Sequence, residues 1–415
     1  MKTVLMHADE LVTCSGFGAK WGSEMNDLGI IRDGAVVIED GIITGAGNTE
    51  DILKEHPDSE LVDCKGKSVM PGFVDSHTHF VFGGYRPEEF SWRLKGISYM
   101  DIMQRGGGIN ATTIPTRQAA LEELKETGRD RLSSMLSFGV TTVEGKSGYG
   151  LDLDTELKQL RVMKELNDEH AVDIVSTFMG AHSVPDSYKG RTDDYIDFVI
   201  REVLPVVAKE RLAEFCDVFC EANVFDIEQS RRLLLAARDY GLKSKLHADE
   251  IVPIGGTELA AELGAVSADH LLHASDRGIK MLAEKGVIAT LLPATAFSLK
   301  EPYANARKMI DEGCAVAIAS DFNPGSCFSN SIPLLFALAT IYMGMTIEEA
   351  VTALTINGAA ALGRADSIGS IDPGKKADLI ILKFPTYQFL HYHFAVNIVE
   401  TVIKNGRIVY GKGAL

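Results

Sequence analysis

Cysteine is sparse and patternless in this chain. Six residues in 415 lie at positions 14, 64, 216, 220, 314 and 327, with no C-x-x-C pair. That excludes a disulfide-stapled scaffold and a zinc-ribbon site, and it fits reduced thiols in a cytoplasmic protein. Cys216 and Cys220 share one face of an expected strand, where they read as small buried apolar residues rather than a metal pair. Basic runs are missing too. Lys and Arg total 41 against 58 Asp and Glu, a net charge of −17, so the clustered positive charge that nucleic-acid binding needs is absent. No stretch reaches the ~20 consecutive apolar residues of a membrane span. The opening MKTVLMHADELVT lacks the apolar run and cleavage site of a signal peptide. Low-complexity tracts and internal repeats are also absent. Hydrophobic residues make up 46% of the chain, enough for a sizeable core, and 415 residues suit one large domain with an accessory one or two to three smaller domains.

Between about residues 68 and 325, short apolar β-rich runs alternate with helix-like segments. The runs are SVMPGFVDSHTHF, GVTTVEGKSGYG, DIVSTFMGAH, CDVFCEANVF, LKSKLHADE, AVSADHLLHA, GVIATLLPATAF and AVAIASDFNPG. Between them, 154–167 and 227–240 carry Leu, Val and Met at helical spacing, and Gly241 supplies a stop. Eight near-continuous apolar strands separated by helices predict a (β/α)8 TIM barrel over 68–363, an α/β fold. The polar residues gather at the C-terminal ends of those strands, where barrel active sites lie. Both termini are strand-rich instead. Asp40-Gly41 and Asn405-Gly406 mark hairpin turns, so residues 1–67 and 364–415 are expected to form one small β-sandwich domain.

The first run ends in His77-Thr78-His79. Positions i and i+2 of a strand point to the same face, so the two imidazoles project together as half of a metal site. An isolated H-x-H is weak evidence, but later strand ends add His182, His247, His270 and Asp321. His77, His79, His247 and Asp321 make a donor set with room for an exchangeable water, and zinc and iron accept it. His391 and His393 repeat the spacing without further ligands nearby and read as packing or surface residues. Gly106-Gly107-Gly108 lacks the phosphate-loop pattern and is expected to be a loop over the pocket.

This order of ligands resembles the amidohydrolase superfamily, and the resemblance spans nearly the whole chain, including the terminal segment Asp372-Pro373-Gly374-Lys375-Lys376-Ala377-Asp378-Leu379. More specific stretches are Gly83-Gly84-Tyr85-Arg86, the run from Thr141 through Tyr149, Phe178 to His182, Leu246 to Glu250, Ala268 to Leu271, and Ser320 to Ser326. They imply a hydrolase opening the ring of 4-imidazolone-5-propanoate, with one Zn2+ or Fe3+ per subunit and a homodimeric assembly. Asp321 would bind metal and move a proton. Glu250 would bond a substrate nitrogen or the water, or else hold a ligand histidine, and His270 would polarise a carbonyl. Arg86 has the planar fork that a substrate carboxylate needs, although Glu88 or Glu89 could pair with it instead. By resemblance, Tyr99, Tyr149 and His182 join Arg86, while Asn323, Gly325 and Ser326 contact substrate or product. Ser326 stands where some relatives carry Thr, and the hydroxyl is kept. Lys146 lies on the second strand, not the fourth that supplies a metal-bridging lysine in binuclear relatives, so one metal is expected. The rivals are another metal-dependent hydrolase of the superfamily, a cyclic amidohydrolase or a deaminase of neutral heterocycles that would not need Arg86, and a non-catalytic scaffold.

Overall fold

The computed structural model describes residues 2–97, 101–102 and 105–411. Its strands fall into two sheets. The chain opens with β1 (Lys2–Val12), β2 (Ile30–Glu39), β3 (Ile42–Asn48), β4 (Glu60–Asp63) and β5 (Ser68–Pro71). The barrel follows as β6 (Phe73–Asp75), β7 (Val140–Lys146), β8 (Asp173–Ala181), β9 (Phe215–Cys220), β10 (Lys243–Ala248), β11 (Ser267–His270), β12 (Ile288–Leu291) and β13 (Val316–Ile318). The strands β14 (Leu379–Leu382), β15 (Val399–Lys404) and β16 (Arg407–Tyr410) then return to the first sheet.

The eight barrel strands pair in chain order and all run parallel. First and last meet through the Thr78–Phe322 bridge, with His79 N donating to Phe322 O at 2.9 Å and Asp321 N to His77 O at 3.0 Å. The ring therefore closes at the C-terminal ends of β6 and β13. Parallel strands wrapped by helices are buried on both faces, and every residue of β7, β11, β12 and β13 is buried. The helices start where their capping chemistry dictates. Asp152 accepts from Thr155 N at the start of Leu153–Glu169, and Asp226 forms a capping box with Gln229 at the start of Ile227–Asp239.

One correction concerns the first run. It is not one barrel strand from Ser68 onward: Ser68–Pro71 pairs with β1 and β14 in the terminal sheet, and only Phe73–Asp75 pairs with β7. The chain changes sheets at Gly72, and hydrophobicity cannot reveal this because both pieces are fully buried.

The terminal sheet runs β16-β15-β14-β5-β1-β2-β3, with β4 beside β1. Asp40 and Gly41 both have positive φ, as do Asn405 and Gly406, the signature of tight primed hairpin turns. These two turns touch: a Cβ on Gly41 would come within 2.8 Å of Asn405 O. They belong to strands several places apart along the sheet, and adjacent strands are spaced ~4.8 Å, so a flat sheet could not bring them together. The sheet curls over a core that includes Leu5, Leu11, Val36, Ile43, Leu379 and Ile403. Among the described residues, no helix is long and apolar enough to cross a membrane. All six cysteines are buried and free.

Candidate metal centre and active site

The ends of β6, β10 and β13 bring His77, His79, His247 and Asp321 into one buried cluster. Ligand atoms of His77, His79 and His247 lie within 4.8 Å of one another, as do those of His77, His270 and Asp321. Asp321 Oδ1 stands 3.5 Å from His77 Nε2 and 3.7 Å from His79 Nε2. Bonds of about 2.1 Å to one ion would set neighbouring donors ~3–4 Å apart, so the spacing suits a single cation. His77 Nε2, His79 Nδ1 and both ring nitrogens of His270 are buried without a hydrogen-bond partner. An orphaned buried nitrogen is costly in the protein alone, and a cation between His77 Nε2 and Asp321 Oδ1, 3.5 Å apart, would satisfy the first of these. The residues present therefore fit a metal ion.

Burial drives the pKa of His77, His79 and His270 well below the usual imidazole value. Neutral imidazole keeps the lone pair a metal needs. Burial also lifts Asp321 to about 6, with the Thr295 hydrogen bond opposing. Thr295 Oγ1 donates to Asp321 Oδ2 at 2.6 Å, which leaves Oδ1 turned toward the histidines.

Beneath the cluster lies a layer of charge that sequence reasoning did not assign. Asp269 Oδ2 sits 2.6 Å from His77 Nδ1. Asp217 Oδ2 is 3.0 Å from His247 Nδ1, close enough for electrostatic pairing but off the hydrogen-bond direction. Lys146 is fully buried between Glu144 (3.0 Å), Asp217 (2.6 Å) and Asp269 (3.5 Å). It is an interior ion partner. Lys245 joins from β10, 3.0 Å from Glu144.

Glu250 lies just past β10, its Oε2 3.5 Å from His270 Nε2. Two carboxylates pin its surroundings. Glu221 accepts from Ile251 N at 2.8 Å, and Asp249 accepts from the backbone N–H groups of Ile254, Gly255, Gly256 and Thr257. Burial pushes Glu250 well above the usual carboxylate range, and the charges of Asp321, Glu221 and Glu301 add to it. Positive φ at Asp249, His270, Leu271 and Asp321 places uncommon backbone conformations at these strand ends, as functional sites often do.

An aromatic wall closes one side. His182 stacks on His79 with centroids 5.0 Å apart and 18° between planes, and Tyr149 meets His182 edge-on at 5.2 Å. His182 Nδ1 pairs with Gly148 O at 3.0 Å. Arg86 enters from beyond β6. Its Nε and Nη2 grip Glu89 at 2.9 and 2.5 Å, so the competing ion pair is present, yet the Nη1 side lies against Gly325, where any Cβ would overlap it. Glu89 also accepts from Gly108 N at 2.7 Å, which ties the glycine loop to the same carboxylate. Asn323 spends its amide inside its own loop, donating to Asp321 O and Ser326 Oγ at 2.7 Å and accepting from Gly325 N and Ser326 N at 2.8 Å. Tyr99 lies outside the described residues. His391 is half-buried and His393 exposed in the terminal region, away from this cluster.

Comparison with known proteins agrees with this geometry. The profile of the Amidohydrolase family matches residues 68–409. An imidazolonepropionase of Clostridium tetani is 64% identical over 411 residues, covering 99% of this chain and 98% of that protein. One from Parabacteroides distasonis is 63% identical over 409 residues, covering 98% of each. Among solved structures, a zinc-bound adenosine deaminase from Xanthomonas campestris superposes with a TM-score of 0.71 at 18% identity, covering 100% of this chain and 94% of that one. The guanine deaminase of E. coli gives 0.69 at 17%, covering 99% and 100%. These two likenesses establish the shared fold, a TIM barrel with a small sheet domain. By the family profile and by identity over nearly its full length, the chain belongs to the amidohydrolase family and, within it, to the imidazolonepropionases.

Proposed function

We propose that this protein hydrolyses 4-imidazolone-5-propanoate to N-formimidoyl-L-glutamate, a step of histidine degradation, using one zinc or ferric ion per chain held by His77, His79, His247 and Asp321. The identity with imidazolonepropionases over nearly the whole chain carries the substrate assignment. The charge and burial of the mouth supply its chemistry. When bound there, a cation provides Lewis acidity and draws the pKa of a water toward neutrality.

The chain's own groups do the rest. Water adds its oxygen to the ring carbonyl carbon, the ring C–N bond breaks, and a proton must reach the leaving nitrogen. Asp321, whose Oδ2 is held by the Thr295 hydroxyl while Oδ1 faces the histidines, is placed to take the water's proton and return it to that nitrogen. Neutral His270 carries one N–H for the carbonyl oxygen as negative charge develops. Glu250, whose carboxyl burial and acidic neighbours push well above the usual range, is placed to share a proton with a substrate ring nitrogen. Tyr149 and His182 wall the ring from bulk water, and Gly325 and Ser326 line the substrate side. Asn323 contributes through the loop shape that its amide enforces.

Dialysis against a chelator should abolish the loss of imidazolone propanoate absorbance, and zinc or iron should restore it. Turnover indifferent to metal would sink the assignment. A carboxylated substrate needs a counter-ion in a chain of charge −17, and Arg86 provides it. Arg86→Lys should raise KM ~10–100-fold, the worth of a charge-assisted hydrogen bond, and spare a neutral ring analogue. Equal loss for both would remove Arg86 from this role and favour a deaminase of neutral rings. We place the protein in the cytoplasm, in keeping with six free thiols, and infer a homodimer from the family, which sedimentation would test.

A further inference from the structure

The buried floor under the metal cluster holds three carboxylates, Glu144, Asp217 and Asp269, and two ammonium groups, Lys146 and Lys245, all with fully buried side chains. The two lysines are not equivalent. Lys245 pairs with Glu144 and also donates to Ser76 O at 3.2 Å and Ala361 O at 3.5 Å. Lys146 alone bridges Asp217 and Asp269, at 2.6 and 3.5 Å. Those two carboxylates are the groups beside His247 and His77 on the side away from Asp321. His77, Glu144 and Asp269 also place ligand atoms within 4.8 Å of one another, a spacing that would suit a cation, and Lys146 Nζ contacts both of those carboxylates.

We propose that Lys146 is a positioning residue for metal binding: through Asp217 and Asp269 it fixes the orientation of His247 and His77, and its ammonium takes the place of a second cation. This rests on the reading of the upper cluster as the metal site. His77 spends Nδ1 on Asp269 and so presents its other nitrogen in a set direction, while Asp217 lies 3.0 Å from the His247 ring and accepts from the His247 backbone N–H at 3.1 Å; such outer partners are typically worth ~10–100-fold in metal affinity. A lysine strapped across both carboxylates, 2.6 Å from Asp217 and 3.5 Å from Asp269, holds the two in place relative to each other. It also contributes the positive charge without which three carboxylates could not share this volume.

The test measures zinc dissociation constants by chelator competition, zinc stoichiometry, and the visible spectrum of the cobalt(II)-loaded protein, for the full chain and three variants. Lys146→Met should weaken zinc ~10–100-fold and alter the cobalt spectrum. Lys146→Arg, which keeps the charge, should recover part of the affinity. Lys245→Met removes the same charge from the same floor without breaking a contact to Asp217 or Asp269, so it should lose stability yet keep zinc affinity within about threefold. Equal affinity in wild type and Lys146→Met overturns the inference, as does equal weakening by Lys146→Met and Lys245→Met. If Lys146→Met does not fold, Lys146→Arg decides: wild-type affinity together with an unchanged cobalt spectrum overturns it. A wild-type chain that binds no zinc overturns the reading of the site itself, a distinct result.

Discussion

Glu250→Gln should lower kcat about 10²–10⁴-fold, the range for a group that moves or shares a proton in the transition state, while metal content stays at the wild-type level. The geometry separates the two roles open to this residue. A carboxylate that merely held a ligand histidine would touch His77, His79 or His247. Instead Asp269 and Asp217 occupy those places, and Glu250 stands 3.5 Å from His270. Metal analysis alongside steady-state kinetics checks this: parallel loss of metal and turnover would return Glu250 to a supporting role.

The same substitution has an opposite signature in stability. Burial and the charges of Asp321, Glu221 and Glu301 raise the folded-state pKa of Glu250 above its unfolded value. Between those two pKa values the folded chain binds more protons than the unfolded one, so stability falls as pH rises through that window. Below the unfolded pKa, ~4.3, the penalty is absent. Chelated Glu250→Gln should therefore be more stable than chelated wild type at pH 8, and the advantage should shrink toward pH 4. Denaturant titrations at the two pH values measure it. A residue that lowers stability while raising turnover is what a site held for chemistry produces.

Strand period explains what was legible in the chain and what was not. His77 and His79 were visible because i and i+2 share a face and end an apolar run. The same rule, applied with His247 pointing inward, places Lys245 inward too, and with Lys146 inward it places Glu144 beside it. Those residues escaped because barrel strands are buried on both sides, so polarity does not alternate: β9 reads Phe-Cys-Asp-Val-Phe-Cys with all but Phe219 buried, and nothing in it marks Asp217. Asp269 and His270 defeat the rule altogether. The positive φ of His270 breaks the alternation, so that adjacent residues both reach the cluster. Thr295 lies past the end of β12, where strand period no longer applies. The curl of the terminal sheet was legible only through its two turns, Asp40-Gly41 and Asn405-Gly406, whose contact is tertiary.

Lys245→Met should cost about 3–5 kcal/mol of stability, the usual price of stranding a buried partner charge. With both lysines present, three carboxylates face two ammonium groups, a formal charge of minus one for the floor. Removing Lys245 makes it minus two, and among the described residues the Glu144 side chain then keeps Lys146 and the Thr177 hydroxyl, which donates at 2.5 Å. The cost is electrostatic rather than steric, since methionine fills much of the lysine stem's volume. Adding Glu144→Gln to Lys245→Met returns the floor to one negative charge and should recover most of the loss, because a buried ion pair removed as a pair is often nearly neutral. Chemical denaturation of the metal-free single and double variants gives the coupling directly. Two independent, additive losses would mean that Lys245 acts through its contacts with the Ser76 and Ala361 carbonyls, and that the charge balance of the floor does not govern the barrel's stability.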